Sequence, residues 1–162
     1  MIEGFRENRM HSLSNIRLAV IGLGYVGLPL ALAFSKVRQV IGFDTSSKRI
    51  SELKLGVDHT LEFDSKAINS ASNLTLTDNT DHLKDCNCYI ITVPTPIDKM
   101  KVPDKSFIEQ SSILIGSLLS RMDVVIYEST VYPGLTEEIC IPILEKNSNL
   151  NCFSDKISKK DS

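Results

Sequence analysis

Apolar positions along this chain fall into short, nearly unbroken runs separated by stretches of helical periodicity. Arg17–Ile21, Gln39–Phe43, Cys88–Val93 and Asp123–Tyr127 are such runs, the pattern of strands covered on both faces. Leu74–Thr77 alternates apolar and polar, as a half-covered strand does. Between them the period changes. A helix is expected from the glycines after Ile21 to about Lys36. Pro29 stands in its first turn, where a missing N–H costs least. Ile50 and Leu53 mark a short helix behind the hydroxyls of Thr45, Ser46 and Ser47, closed by Gly56. A short helix is expected near Ser65–Ser70, and a loop or short helix over Asp78–Lys84. Ile108, Ser111, Ile115 and Leu118 form the stripe of a helix starting at Asp104 as N-cap and ending near Ser120. Leu135–Lys146 reads as a helix kinked at Pro142. Strands alternating with helices predict an α/β fold, a doubly wound parallel sheet with helices on both faces.

The pattern divides the chain into a polar leader (1–15), one domain (16–150) and a tail (151–162) rich in Asn, Ser, Lys and Asp, read as frayed or divergent. A chain of 162 residues, 42% hydrophobic and 23% charged, can bury a real core. A net charge of -2 with no basic stripe gives no case for nucleic acid. No apolar run approaches the roughly 20 residues that span a bilayer, and the leader lacks the apolar middle of a signal peptide. Cytoplasm is the expected location. Cys86, Cys88, Cys140 and Cys152 lie in dissimilar settings, unlike a disulfide framework. Cys86-Asn87-Cys88 with His82 lacks further ligands at metal spacing, so no metal is expected. His11, His59 and His82 read as surface residues.

The chemistry concentrates where strands end. Ile21 runs into Gly22-Leu23-Gly24-Tyr25-Val26-Gly27, three glycines at the spacing of a dinucleotide-binding turn. There the first glycine permits the tight turn, the second lets backbone approach a pyrophosphate, and the third lets helix pack on sheet. The helix start adds free N–H groups and about half a positive charge. Asp44, about 20 residues on at the end of the second strand, is placed to accept hydrogen bonds from the adenosine ribose and to repel a 2′-phosphate, favouring NAD over NADP. The plainer account of Asp44 is a cap for the next helix. Arg49 complicates the choice, since an arginine there can take a 2′-phosphate or lie over adenine. Two further strands end in small hydroxylated residues: Thr92–Pro96, stiffened by Pro94 and Pro96, and Ser129-Thr130. Both loops are expected to lie along a cofactor, although threonines there also serve ordinary turns.

Together, Gly22–Pro29, Gly42-Phe43-Asp44, Val93-Pro94-Thr95-Pro96 and Glu128–Gly134 resemble the N-terminal domain of the UDP-glucose/GDP-mannose dehydrogenase family, especially its UDP-N-acetylhexosamine 6-dehydrogenase branch. The resemblance implies a Rossmann-type domain and oxidation of a sugar C6 alcohol to a carboxylate with two NAD reduced, in bacterial surface polysaccharide synthesis. By motif position it implies NAD contacts at Tyr25, Val26, Asp44, Arg49, Thr95 and Thr130, beside Gly22, Gly24 and Gly27 of the dinucleotide-binding turn. Thr130 also matches a threonine that positions substrate and water, the one catalytic role carried over. The family's nucleophilic cysteine, catalytic lysine and most of its sugar site belong to parts without counterpart here. The chain therefore reads as truncated, with a UDP-sugar bound only alongside a C-terminal half. The sixth strand of the sheet is expected to be missing or a stub, leaving the strand Val124–Tyr127 with an open edge inviting self-association or a partner chain. Two other readings stay open: a non-catalytic NAD-binding module or half of a split enzyme, and a small hydroxyacid or 6-phosphogluconate-type dehydrogenase.

Overall fold

The computed structural model describes residues 15–96, 104–129 and 132–152. Five strands, β1 (Leu18–Ile21), β2 (Val40–Phe43), β3 (Leu74–Thr77), β4 (Cys88–Ile91) and β5 (Val124–Tyr127), form one sheet in the order β3-β2-β1-β4-β5. Every pairing is parallel. The helices are α1 (Gly27–Ser35), α2 (Ser47–Lys54), α3 (Ser65–Asn69), α4 (Ser106–Gly116) and α5 (Ile141–Ser148), with a 3-10 turn at Thr80–Leu83. This is the expected doubly wound arrangement.

The unbroken apolar runs follow from burial on two sides. Along β1, Leu18 and Val20 face one core with Leu28 and Leu32 of α1, Ile50 and Leu53 of α2 and Ile68 of α3. Ala19 and Ile21 face the other, with Leu83, Tyr89, Ile115 of α4 and Leu144 of α5. Period-2 side-chain alternation thus feeds two cores from one strand. Cys88 belongs to the first core and Cys86 to the second, which accounts for both without a metal.

Three expectations need correction. β5 is not covered on both faces: Val124 is 44% and Ile126 37% exposed, while Val125 and Tyr127 pack into the second core. Its composition is that of a buried strand, but at the sheet's edge the described helices cover only one side. Asp104 does not cap α4; it stands one residue before the cap position, Lys105, and its carboxylate accepts the Ser106 N–H at 2.9 Å. The Leu135–Lys146 helix is interrupted, as expected, but by a π-helical turn at Thr136–Cys140 ahead of α5. Pro142 has no N–H to return to the preceding turn, and the wider turn accommodates that gap.

Register brings the strand ends level. Ile21 pairs with Phe43 and with Ile91, and Ile91 with Tyr127. The ladder runs one step further: Gly22 N–H donates to Phe43 O, Thr92 N–H to Ile21 O and Glu128 N–H to Ile91 O. Gly22, Asp44, Thr92 and Glu128 therefore stand in a row along the carboxyl edge.

Candidate cofactor site

The β1–α1 turn is fixed by two requirements that only glycine meets. Gly22 has φ +93°, and a Cβ on Gly27 would lie 1.8 Å from Gly22 O and 2.5 Å from Thr92 Oγ1. Gly24 differs: a Cβ there would meet nothing within 4 Å. Packing within the described residues does not require its missing side chain.

Two peptide groups of the turn are held. In the Gly22–Leu23 peptide, Gly22 O accepts the Thr92 hydroxyl at 2.7 Å and Leu23 N–H donates to Asp44 Oδ2 at 2.9 Å. In the next peptide, Leu23 O accepts Arg49 Nε–H at 3.0 Å. Since the peptide is trans, its Gly24 N–H points away from the side on which Leu23 O meets Arg49. The N–H groups of Gly24, Tyr25, Val26 and Gly27 make no hydrogen bond among the described residues, as the first donors of a helix do not. Tyr25 is 71% exposed and Val26 49%. Among the described residues these four donors at the positive end of α1 are without partners, beside the exposed side chains of Tyr25 and Val26.

Asp44 is half-buried beside the turn. Besides taking Leu23 N–H through Oδ2, it accepts Ser46 N–H at Oδ1, 2.9 Å. Ser46 itself caps α2, its hydroxyl accepting Arg49 N–H at 3.2 Å. The capping account of Asp44 is thus answered: serine caps, and the carboxylate faces the turn.

Arg49 is buried: Nε donates to Leu23 O, NH1 lies 3.1 Å from His59 Nδ1, and NH2 lies 2.8 Å from Asp58 Oδ1 as an ion pair without hydrogen-bond geometry, so that NH2 makes no hydrogen bond among the described residues. Asp58, side chain 0% exposed, also accepts Thr60 N–H, the Thr60 hydroxyl, Glu62 N–H and Phe63 N–H. Burial pushes its carboxyl up, but the Thr60 hydroxyl, the Arg49 guanidinium and the Thr60 N–H outweigh it and bring it down to about 2 from an ordinary 3.8. A depressed folded-state pKa stabilises above the unfolded value and is lost as pH falls through the folded one. The contribution, about 2 kcal/mol, is therefore complete above about pH 4 and fades toward pH 2. Urea unfolding of the wild type and Asp58→Asn at pH 6 and pH 3 should show the gap between them narrowing at the lower pH; a constant gap would disprove the assignment.

The two hydroxylated loops touch. Ser129 Oγ donates to Val93 O at 2.7 Å, tying the segment after β5 to the one after β4. Thr95 is half-buried between Pro94 and Pro96. Thr130 lies outside the described residues. The structure thus brings Gly22, Gly24, Tyr25, Val26, Gly27 and Asp44 together, with Arg49 behind them and Thr95 one strand over. Sequence reasoning missed Asp58. Asp58-His59-Thr60 carries the signature of an Asx turn, but nothing in spacing alone pairs it with Arg49. Burial raises the thiol pKa of Cys86 to about 11 and raises those of Cys88 and Cys140, so these three are core thiols, not thiolate nucleophiles. Among the described residues, no group of His, Cys, Asp and Glu is arranged to hold a metal ion, and no helix is long and apolar enough to cross a membrane.

The family model for the NAD binding domain of the UDP-glucose/GDP-mannose dehydrogenase family matches residues 16–159. The chain is similar to the UDP-N-acetyl-D-glucosamine 6-dehydrogenases of Pseudomonas aeruginosa, 52% identical over 143 residues, and of Salmonella typhi, 50% identical over 146. These alignments cover 88% and 90% of this chain and 34% of each relative. Among solved structures, the UDP-D-ManNAc dehydrogenase of Pyrococcus horikoshii superposes with a TM-score of 0.77 at 36% identity, covering 86% of this chain and 34% of that one. The chain spans about a third of the length of the curated relatives it matches.

Proposed function

The chain belongs to the UDP-glucose/GDP-mannose dehydrogenase family and carries its NAD-binding domain, and from that premise we propose that it serves a cytoplasmic nucleotide-sugar 6-dehydrogenase of bacterial surface polysaccharide synthesis. The substrate class is a UDP-N-acetylhexosamine, oxidised at C6 to the uronate. The observation that carries the reading is the set of four N–H groups beside Asp44 that make no hydrogen bond among the described residues, with open space where a Cβ on Gly24 would stand. That arrangement fits a dinucleotide: the N–H groups of residues 24–27 would hold the pyrophosphate and Asp44 the adenosine ribose. NAD supplies the hydride acceptor. Gly22, Gly24, Tyr25, Val26, Gly27, Asp44 and Thr95 line the cofactor, Arg49 acts on it through Leu23 O, and Thr130 is the residue assigned to substrate and water. A UDP-sugar is bound together with further residues of the kind that make up the rest of the relatives.

Asp44→Ala removes the acceptor for the ribose hydroxyls and for Leu23 N–H. Bonds to a charged acceptor are worth about 1.5–3 kcal/mol, so calorimetric titration should show NAD binding weakened roughly 10- to 100-fold. Unchanged affinity would remove Asp44 from the site. The chain alone is expected to bind NAD without forming NADH from UDP-GlcNAc. Mixing it with the remaining two-thirds of the Pseudomonas aeruginosa relative tests for a completed enzyme. Turnover by the mixture favours the dehydrogenase reading, and NAD binding without turnover favours a non-catalytic NAD module.

A further inference from the structure

Thr92 does more than follow β4. Only 6% exposed, it sets its hydroxyl 2.7 Å from Gly22 O and 3.0 Å from Ile21 O. A hydroxyl has one proton to give, and the shorter contact takes it. The other end of the same Gly22–Leu23 peptide is also held, with Leu23 N–H donating to Asp44 Oδ2 at 2.9 Å. One peptide group thus joins Thr92, just after β4, to Asp44, just after β2, across the β1 strand between them. Gly27 makes the room: a Cβ there would stand 2.5 Å from Thr92 Oγ1 and 1.8 Å from Gly22 O.

The peptide can transmit that hold in two ways. Its nitrogen and carbonyl share electrons, so a proton donated to Gly22 O strengthens Leu23 N–H as a donor to Asp44. The planar unit also turns as one body, so fixing its oxygen fixes the direction of its N–H. Ser46 N–H, on Oδ1, belongs to the segment that follows Asp44 itself, so Leu23 N–H is the bond that sets the carboxylate against the turn.

We propose that Thr92 is a positioning residue for the cofactor: through the Gly22–Leu23 peptide it holds the Asp44 carboxylate in the orientation that receives the adenosine ribose. The assignment rests on the cofactor reading above. It gives the ribose contact a support on the far side of β1, two strands from the carboxylate it steadies. Thr92→Val keeps the branched shape and removes the donor, while Thr92→Ser keeps the donor.

The test is calorimetric titration of the full chain with NAD, in the wild type, Thr92→Val, Thr92→Ser, Asp44→Ala and Thr92→Val/Asp44→Ala. Thr92→Val weakens NAD roughly tenfold, the scale of a buried carbonyl left without its donor, and Thr92→Ser stays within about threefold of the wild type. Once Asp44 is gone, adding Thr92→Val costs less than about twofold, because the two act as a unit. A Thr92→Val loss of the same size with and without Asp44 overturns the proposal, as does a Ser variant as weak as Val. A second readout needs neither cofactor nor a Thr92 variant. By reciprocity Asp44 holds Thr92 as firmly as Thr92 holds Asp44. The Thr92 hydroxyl proton, followed by NMR, therefore exchanges slowly in the wild type and roughly tenfold or more faster in Asp44→Ala; equal exchange overturns the proposal. A wild type that binds no NAD overturns the cofactor reading instead, and hydroxyl exchange then decides the coupling of Thr92 to Asp44 by itself.

Discussion

Gly27→Ala is expected to abolish NAD binding and to destabilise the fold by about 3 kcal/mol or more, at or beyond the upper end for overpacking. The new Cβ would stand 1.8 Å from Gly22 O and 2.5 Å from Thr92 Oγ1. Neither is the free end of a flexible chain: Gly22 O is backbone, and Thr92 is held between β1 and β4 by its own N–H bond to Ile21 O. Relief requires α1 to move off the sheet, separating Leu28 and Leu32 from the first core. Gly24→Ala is the contrasting control. Its Cβ meets nothing, so stability should hold within about 1 kcal/mol, the scale of backbone effects at unstrained sites, while NAD binding falls. Urea unfolding and NAD titration on both variants separate the two roles. Equal stability losses would show that the glycines are not divided between packing and ligand.

Arg49→Met is expected to cost about 3–5 kcal/mol, the range for removing one partner of a buried pair. It leaves the Asp58 carboxylate buried without its cation and strips Leu23 O of its donor. Adding Asp58→Leu should recover part of that loss, since an apolar pair asks for no compensation. The recovery is incomplete because Thr60, Glu62 and Phe63 N–H lose an acceptor. Urea unfolding of the single and double variants measures the coupling. A single-variant cost under about 1 kcal/mol would mean that the pair behaves like an exposed one.

The strands were legible because burial on two faces writes itself as an unbroken apolar run, and β1 and β4 obey that rule. The glycine turn and Asp44 were legible because backbone geometry and a strand end fix their spacing. β5 misled for the same reason that β1 succeeded: composition reports what a strand can bury, not which neighbours it has. The cap of α4 was misplaced by one residue because Asp104 makes a turn with Ser106 that resembles a cap locally. The deepest miss was Asp58. Its partner is nine residues away across the end of α2, and long-range pairing of charges leaves no periodic trace. His59, read as a surface residue, is 59% exposed yet touches Arg49 and Glu52, so exposure did not mean isolation.

The pinned peptides of the β1–α1 turn carry a thermodynamic consequence. A loop that samples many shapes binds with an affinity reduced by the fraction of time it spends in the competent one. Here Thr92 just after β4, Asp44 just after β2 and Arg49 of α2 hold the carbonyls and the inner N–H group of the turn. These bonds favour one shape of the turn before any ligand arrives, which raises that fraction. The entropy of arranging the donors is spent when the chain folds, so the fold's stability and the ligand's affinity draw on the same three side chains.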